Sequence, residues 1–251
     1  MGKKVNEAKV EEAMEALLKW TNSQRARDKA QLLEDEQLLY LVISLKKIPD
    51  RTRTNPYKIP LPHPLFPLDG TQEVCLFVND LDRGIKAKDA KAKAIEEGIP
   101  IAKVIGLSKL KTDYYPHEAK RKLCGSYDLF LADDRILPML PKLLGKSFFK
   151  KKKHPIPVTL TRQQWKGQIT SACSSTFLYV GGGSCSVIKV ARVSQSKEEI
   201  RENILAVIKG AAELIPKKWK GVQAIYLKTL ESVALPLYQT LPDLPLKIDK
   251  V

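Results

Sequence analysis

Residues 38–48 form the stretch Leu-Leu-Tyr-Leu-Val-Ile-Ser-Leu-Lys-Lys-Ile. Its first eight residues are mostly apolar and partly β-branched, and Lys46, Lys47 and Pro49 bound the run. A short apolar run with such boundaries is typical of a buried β-strand. We therefore predict a buried strand that ends at two lysines.

The segments on either side of this strand extend the pattern. Apolar residues at helical spacing predict an amphipathic helix over residues 6–20, with Asn6 as its N-cap. A second strand is predicted at residues 57–61, and it leads into a proline cluster that ends at Pro67. Each proline fixes its own φ and restricts the residue before it, so the cluster is stiff and extended. We expect a hinge there.

Between residues 72 and 155 the pattern changes to strands that alternate with helices. Strands are predicted at residues 74–78, 101–105 and 127–132. This alternation is typical of an α/β layer with a mainly parallel sheet. A second proline-containing crossing follows at residues 155–157, and it indicates that the α/β block is inserted into a domain made from both ends of the chain. The predicted domains are residues 1–71 with 156–251, and residues 72–155.

The remaining segment completes the outer domain. Ser196 and Pro216 predict the two ends of a long helix, and residues 181–184, Gly-Gly-Gly-Ser, predict a flexible hairpin between two strands. The further strands and the further helix are predicted at residues 156–160, 176–180, 186–193 and 222–230, and at 162–172. The predicted fold class is α/β and α+β: a split α+β domain with an inserted three-layer α/β, Rossmann-like, domain.

The net charge points to a polyanionic partner. The 251 residues include 43 Lys and Arg against 28 Asp and Glu, which gives a formal charge of +15. Such an excess attracts nucleic acid, but it also favours solubility, and composition alone leaves both interpretations open. No segment approaches the roughly 18 apolar residues of a membrane helix, so we expect no membrane partner.

Neither metal binding nor catalysis has a motif in the chain. The four cysteines are scattered and the three histidines have no ligand spacing, so we expect reduced thiols and no metal site. Gly145-Lys146-Ser147 resembles the end of a phosphate-binding loop, but Leu140 stands where that loop requires a glycine. Asp133-Asp134 predict a helix cap instead of a metal site. We expect no catalytic residues and no cofactor.

Basic residues form the stronger pattern. Lys150, Lys151, Lys152 and Lys153 follow two phenylalanines, so dense positive charge lies beside an aromatic surface that could stack on a base. A solvated loop or a nuclear-import signal would show the same run. Other lysines and an arginine lie on or after the predicted outer strands, where they could present a positive groove to a phosphate backbone: Lys46, Lys47, Lys189, Arg192 and Lys228.

Taken in order, several motifs resemble the ribosomal L1 family, which combines a split α+β domain with an inserted α/β domain. Residues 45–48 (Leu-Lys-Lys-Ile) and 59–63 (Ile-Pro-Leu-Pro-His) resemble its first strand and its entry to the hinge. The closer resemblance is to the eukaryotic ribosome-biogenesis branch, the nucleolar ribosomal L1 domain-containing proteins. The motifs of that resemblance are residues 140–148, 152–155, 183–189, 227–229 and 234–237.

The resemblance implies RNA binding without catalysis or cofactor, in the nucleus and nucleolus. The implied partners are pre-ribosomal RNA, ribosome assembly factors and ribosomal proteins, in a precursor of either the small or the large subunit. It also implies a chain that is monomeric outside the particle.

One motif departs from the family pattern. Stalk proteins of this family hold RNA chiefly with the split domain, through its early strand and a Thr-Met-Gly-Pro loop. Here the loop is Ser-Val-Ala-Leu-Pro at residues 232–236, and Ala234 or Leu235 replaces the glycine that lets a backbone approach RNA closely. We expect weaker RNA contact at this loop, or contacts with proteins through the apolar residues 233–237.

Two functional hypotheses follow. The first is a non-enzymatic assembly factor that binds pre-ribosomal RNA through the basic residues above, with Thr229 and Ser232 as polar neighbours. The second is a protein-interaction scaffold within pre-ribosomes that has little RNA specificity of its own.

Overall fold

A computed structural model describes residues 5–27, 37–49, 55–67, 70, 72–81, 84–160 and 164–240. The strands are β1 Leu38–Leu45, β2 Tyr57–Pro60, β3 Val74–Val78, β4 Lys103–Gly106, β5 Leu129–Asp133, β6 Ile156–Val158, β7 Ser175–Leu178, β8 Cys185–Arg192, β9 Val222–Lys228 and β10 Leu235–Gln239. The helices are α1 Glu7–Arg27, α2 Ala87–Glu96, α3 Leu107–Thr112, α4 His117–Ser126, α5 Leu140–Leu144, α6 Lys146–Lys150, α7 Trp165–Cys173 and α8 Lys197–Leu214, with a 3₁₀ turn at Lys218–Gly221.

The chain divides into two compact units. The outer unit consists of residues 1–50 and 182–251, and the inserted unit of residues 51–181. The outer unit is built on an antiparallel sheet in the order β10-β9-β1-β8. The predicted strand at residues 38–45 is thus an interior strand, with a hydrogen-bonded neighbour on each side.

Two helices pack against the outer sheet, and both begin where the sequence predicts. The Asn6 side chain accepts a hydrogen bond from the Ala8 N–H at 3.1 Å. Ser196 and Glu199 form a capping box, in which each side chain accepts a hydrogen bond from the backbone N–H of the other. These interactions satisfy backbone donors that the first turn of a helix leaves unpaired, and they fix the start of α1 and α8.

The inserted unit contains a parallel sheet in the order β4-β3-β5-β6. Successive residues of β3 alternate between two hydrophobic clusters, because side chains of a strand point to opposite faces in turn. Leu76 belongs to one cluster, with Trp165 of α7, and Phe77 belongs to the other, with Phe148 of α6. The two buried faces make this unit a three-layer α/β structure, so the mixed α/β class predicted from the sequence is confirmed.

Two local predictions are wrong. The strand at Ile156–Val158 pairs in parallel with β5, so it belongs to the inserted unit and not to the outer sheet. Residues 181–184 do not form a hairpin, since β7 pairs with β2 and β8 pairs with β1. Each error has the same cause: the pairing partner lies far along the chain, where a local pattern gives no signal.

The compact units therefore differ from the predicted domains. Residues 51–71 and 156–181 group with the inserted unit, and so do both proline segments that predicted a hinge. The hinge stays a prediction.

The cysteines of this chain are unpaired, and most of them are buried. Cys75, Cys124 and Cys173 lie in the interior, and only Cys185 is exposed. Burial raises the pKa of Cys75 and of Cys173 to about 12, so both thiols stay protonated at neutral pH. They act as small hydrophobic groups in the core.

Two adjacent phenylalanines have different environments, and this difference gives a test of the inserted unit. Phe148 is fully buried and contacts Phe130 edge-on, with ring centroids 4.8 Å apart. Phe149 is 36% exposed and packs on His154. Of the two, only Phe149 is placed to stack on a base.

We expect Phe148→Ala to lower the free energy of unfolding by about 3–5 kcal/mol, because it leaves a cavity in the core. The matched variant Phe149→Ala should cost at most about 1.5 kcal/mol, the loss of one aromatic contact. Denaturant unfolding of both variants checks the difference. Equal losses would contradict the assignment of Phe148 to the core.

Candidate nucleic-acid interface

Two predicted lysines lie in one row across the outer sheet. Lys189 of β8 and Lys228 of β9 are both register partners of Tyr40, which lies on β1 between them. Directly opposite residues of neighbouring strands share a face, and neighbouring strands lie about 4.8 Å apart. The two lysine backbones are therefore separated by roughly 10 Å on one face, which we call the lysine face.

A β-bulge brings the predicted arginine to the same face. In a regular strand, Lys189 and Arg192 would point to opposite faces, because they are three residues apart. The register shifts between Leu39 and Tyr40, so that Arg192 pairs with Leu38 and Lys189 pairs with Tyr40. Since Leu38 and Tyr40 are two residues apart on β1, the bulge at Val190 places both cations on the lysine face, where Lys189 is half-buried and Arg192 is buried.

Aromatic and small polar side chains complete the lysine face. The next cross-strand row consists of Val187, Val42 and Tyr226, and the row after it pairs Ser44 with Cys185. Val187 is 39% exposed, and Tyr226 is half-buried. Burial raises the pKa of Tyr40, so its hydroxyl stays protonated at neutral pH. Tyr40 is only 6% exposed, so Tyr226 is the ring of this face that a base could contact beside the lysines.

The opposite face of the sheet is fully buried and lies under the helices. Leu39, Leu41 and Ile43 of β1 have exposures of 1% or less, and α1 and α8 contact strands of this sheet. Arg201 and Lys197 of α8 are ion-paired with Glu11 and Glu15 of α1. The helix layer therefore has mixed charge, whereas the four strands of the sheet contain no acidic residue.

Thr229 and Ser232 shape a loop beside the lysine face. The Ser232 hydroxyl accepts a hydrogen bond from the Thr229 N–H at 2.8 Å, and the Thr229 hydroxyl accepts one from the Ser232 N–H at 3.2 Å. Both residues are buried. The structure thus uses these hydroxyls within the loop, and their contact with RNA stays a prediction.

The apolar surface at this loop differs from the predicted one. The sequence indicates an apolar surface over residues 233–237, but Leu237 is buried in β10, a strand that the sequence analysis missed. The large exposed apolar side chains are Leu230 and Val233, at 56% and 78% exposure, and Ala234 and Pro236 are exposed as well. Leu230 directly follows the buried Thr229, and Val233 directly follows the buried Ser232.

Lys46 and Lys47 lie at the other end of the sheet. Both are exposed and follow the last residue of β1. Lys46 is six positions after Tyr40, which corresponds to about 20 Å along an extended strand. The structure therefore separates the predicted cations of the outer unit into two groups.

The predicted lysine run of the inserted unit has two kinds of members. Lys150 and Lys151 are exposed at the end of α6. Lys152 is half-buried with a positive φ of 53°. The Lys153 ammonium donates hydrogen bonds to the carbonyls of Cys124 and Tyr127, at 3.2 and 2.7 Å, where α4 ends. A cation at that position satisfies unpaired carbonyls and interacts favourably with the helix dipole.

The described ranges show no metal centre and no membrane helix. They contain no group of three or more His, Cys, Asp or Glu side chains that could hold a metal ion. None of their helices combines the length and the apolar character that a membrane crossing requires.

Comparison with known proteins identifies the family. Residues 6–233 match the family described as the Ribosomal protein L1p/L10e family. The chain belongs to the ribosomal L1 family.

The relatives of this L1-family chain include proteins of two kinds. It is 34% identical, over 93% of its length, to a Schizosaccharomyces pombe protein named "Putative ribosome biogenesis protein", of which it covers 65%. It is 35% identical, over 83% of its length, to the Mus musculus "Ribosomal L1 domain-containing protein 1", of which it covers 46%. Identity to the Saccharomyces cerevisiae "Large ribosomal subunit protein uL1A" is 25%, over 94% of this chain and 99% of that protein. The resemblance to the ribosome-biogenesis branch is confirmed.

Lys153 and Lys151 of this L1-family chain lie in one loop but differ in their contacts. Lys153 donates hydrogen bonds to two carbonyls, whereas Lys151 is exposed. We expect Lys153→Met to lower the free energy of unfolding by about 1–3 kcal/mol, since it removes charged hydrogen bonds to two carbonyls. Lys151→Met, in the same loop, should change it by less than about 0.5 kcal/mol. Thermal and denaturant unfolding measure both. A neutral Lys153→Met variant would show that the cap adds nothing to stability.

Proposed function

We propose that this protein binds RNA through the lysine face of its outer unit. The observation behind the proposal is that the half-buried Lys189 and Lys228, with the buried Arg192 beside them, share one face of a sheet whose strands contain no acid. Positive groups on one surface provide the phosphate contacts that position a protein on RNA. Tyr226, which is half-buried on the same face, supplies a ring on which an unstacked base could lie.

The charge distribution favours this face over the helix layer. A nucleic acid that approached α1 and α8 would meet carboxylates as well as cations, and two of the cations there already pair with Glu11 and Glu15. The lysine face presents cations without opposing acids on its strands. The field of the outer unit therefore orients a polyanion toward the sheet.

The biological setting of the proposal comes from the relatives. The name of the S. pombe relative supports a role in ribosome biogenesis. We propose that this chain acts there as a non-enzymatic assembly factor that binds pre-ribosomal RNA in the nucleolus, together with assembly factors and ribosomal proteins. We further propose the L1-like architecture of a split RNA-binding domain with an inserted domain, and a chain that is monomeric outside the particle. Exposed lysines at positions 150 and 151 would add RNA contacts from the inserted unit.

A second candidate function rests on the loop next to the lysine face. Leu230 and Val233 expose apolar side chains where stalk proteins of the family have their glycine-containing loop. Exposed apolar residues of this kind are typical of protein contacts more than of phosphate contacts. This observation favours a scaffold within pre-ribosomes, in which the loop holds a protein partner.

Replacement of the two lysines that flank Tyr40 tests the first proposal. We expect the double variant Lys189→Gln/Lys228→Gln to bind a labelled, structured pre-rRNA fragment several-fold more weakly. The slope of log K against log salt concentration should fall by about 1.5, because about two phosphate contacts are lost. Fluorescence anisotropy over a salt series measures both quantities.

The matched control is Lys9→Gln/Lys209→Gln, which removes the same charge from exposed positions on α1 and α8. This control should keep the wild-type salt slope. Equal losses in the two double variants would contradict binding through the lysine face. Wild-type protein that fails to bind RNA at low salt, but retains assembly proteins after nuclease treatment, would support the scaffold instead.

A further inference from the structure

A second group of lysines meets at the end of the outer sheet that is remote from Arg192. The backbone N–H of Lys46 donates to the carbonyl of Gly221 at 2.9 Å, and Leu45 pairs with Val222 across the sheet. These contacts join the end of β1 to the 3₁₀ turn that precedes β9. The residues brought together are Lys46, Lys47, Lys217, Lys218 and Lys220, which we call the lysine cluster.

The lysine cluster is dense, exposed and free of acids. All five side chains are exposed, and none forms an ion pair with any residue that the structure describes. The two segments concerned, residues 45–49 and 216–222, contain no aspartate or glutamate. Uncompensated like charges repel one another, so the cluster lowers stability unless an anion binds there.

The turn that contains Lys217, Lys218 and Lys220 has an unfavourable backbone conformation. Lys217 and Lys218 have φ values of 63° and 51°, in the left-handed region that favours glycine or asparagine. The turn is also tight, because a Cβ on Gly221 would lie 2.3 Å from the Pro216 carbonyl oxygen. Unfavourable backbone conformations of this kind are concentrated at functional sites.

An aromatic contact holds this turn against the sheet. The Trp219 ring packs edge-on against Tyr238 of β10, with centroids 5.7 Å apart. The lysines on either side of Trp219 therefore extend from an anchored turn. A pre-ordered surface binds an anion with a smaller loss of conformational entropy than a mobile loop does.

We propose that the lysine cluster is a second RNA-binding surface, which contacts the phosphate backbone separately from the lysine face. Lysine ammonium groups are compact point charges that suit phosphate oxygens, whereas lysine is depleted at the centres of protein interfaces. An RNA backbone is therefore favoured over an acidic protein segment as the ligand. This inference rests on the proposed RNA-binding function.

The distance between the two surfaces gives the cluster a role of its own. About 20 Å of extended strand separates Tyr40 from Lys46, so one phosphate group cannot contact both surfaces. Two anchor points on one RNA, or on two neighbouring RNA segments, fix the orientation of the outer unit as well as its affinity.

The test is a double variant of the turn in the whole 251-residue chain, Lys217→Asn/Lys220→Gln. Asparagine tolerates a positive φ, so the variant removes two charges and is compatible with the fold. Lys46→Gln/Lys47→Gln, on the other segment, is the second variant, and Lys9→Gln/Lys209→Gln is the control. Thermal unfolding verifies that each variant is folded.

The probes are a fluorescein-labelled double-stranded RNA hairpin and a poly-glutamate peptide. We expect each cluster variant to bind the hairpin several-fold more weakly, with the salt slope reduced by about 1.5, while the control keeps the wild-type slope. Cluster variants that match the control, while Lys189→Gln/Lys228→Gln loses affinity, would overturn the second surface and leave the proposed function intact. Loss of poly-glutamate binding without loss of RNA binding would also overturn it, in favour of an acidic protein partner.

Absence of RNA binding by the wild-type chain would have a different meaning, since it would overturn the proposed function and this inference together. Crosslinking of the bound hairpin to lysines, read by mass spectrometry, gives an independent outcome. Crosslinks at residues 217–220 support the surface, and crosslinks confined to Lys189 and Lys228 contradict it.

Discussion

The pairing of β1 with a neighbour on each side is the constraint on which the outer unit depends. Through this register, Tyr40 brings together lysines from two strands that are distant in the sequence, and the bulge beside it adds Arg192. A shift of one residue would exchange the two faces, because side chains alternate along a strand. The apolar residues Leu39, Leu41 and Ile43 would then face outward, and their burial is what prevents the shift.

The positively charged residues therefore lie in several different environments. Lys197 and Arg201 of the helix layer pair with glutamates, and Lys153 in the inserted unit satisfies the end of a helix. Lys189 and Lys228 of the lysine face are half-buried, Arg192 is buried beside them, and the five lysines of the lysine cluster are exposed at the end of the sheet.

Sequence patterns predict the local structure of this chain, but they do not predict which distant strands pair. The apolar run of β1 and the cap at Ser196 are visible in the sequence, because each depends on adjacent residues. The partner of β7 and the bulge at Val190 depend on segments far along the chain. The basic run at residues 217–220 is visible in the sequence, as the run at 150–153 is. The sequence does not show that this run lies beside Lys46 and Lys47, and the hydrogen bond from the Lys46 N–H to the Gly221 carbonyl does.

RNA binding through the lysine face is tested most directly by lysine footprinting with an amine-reactive reagent, in the presence and absence of bound pre-rRNA. The method measures the reactivity of each lysine in the wild-type protein. We predict that RNA protects Lys189 and Lys228 from modification, while Lys9 and Lys209 on the helix layer keep their reactivity. Protection of the two helix lysines with no change at Lys189 and Lys228 would contradict RNA binding through the sheet.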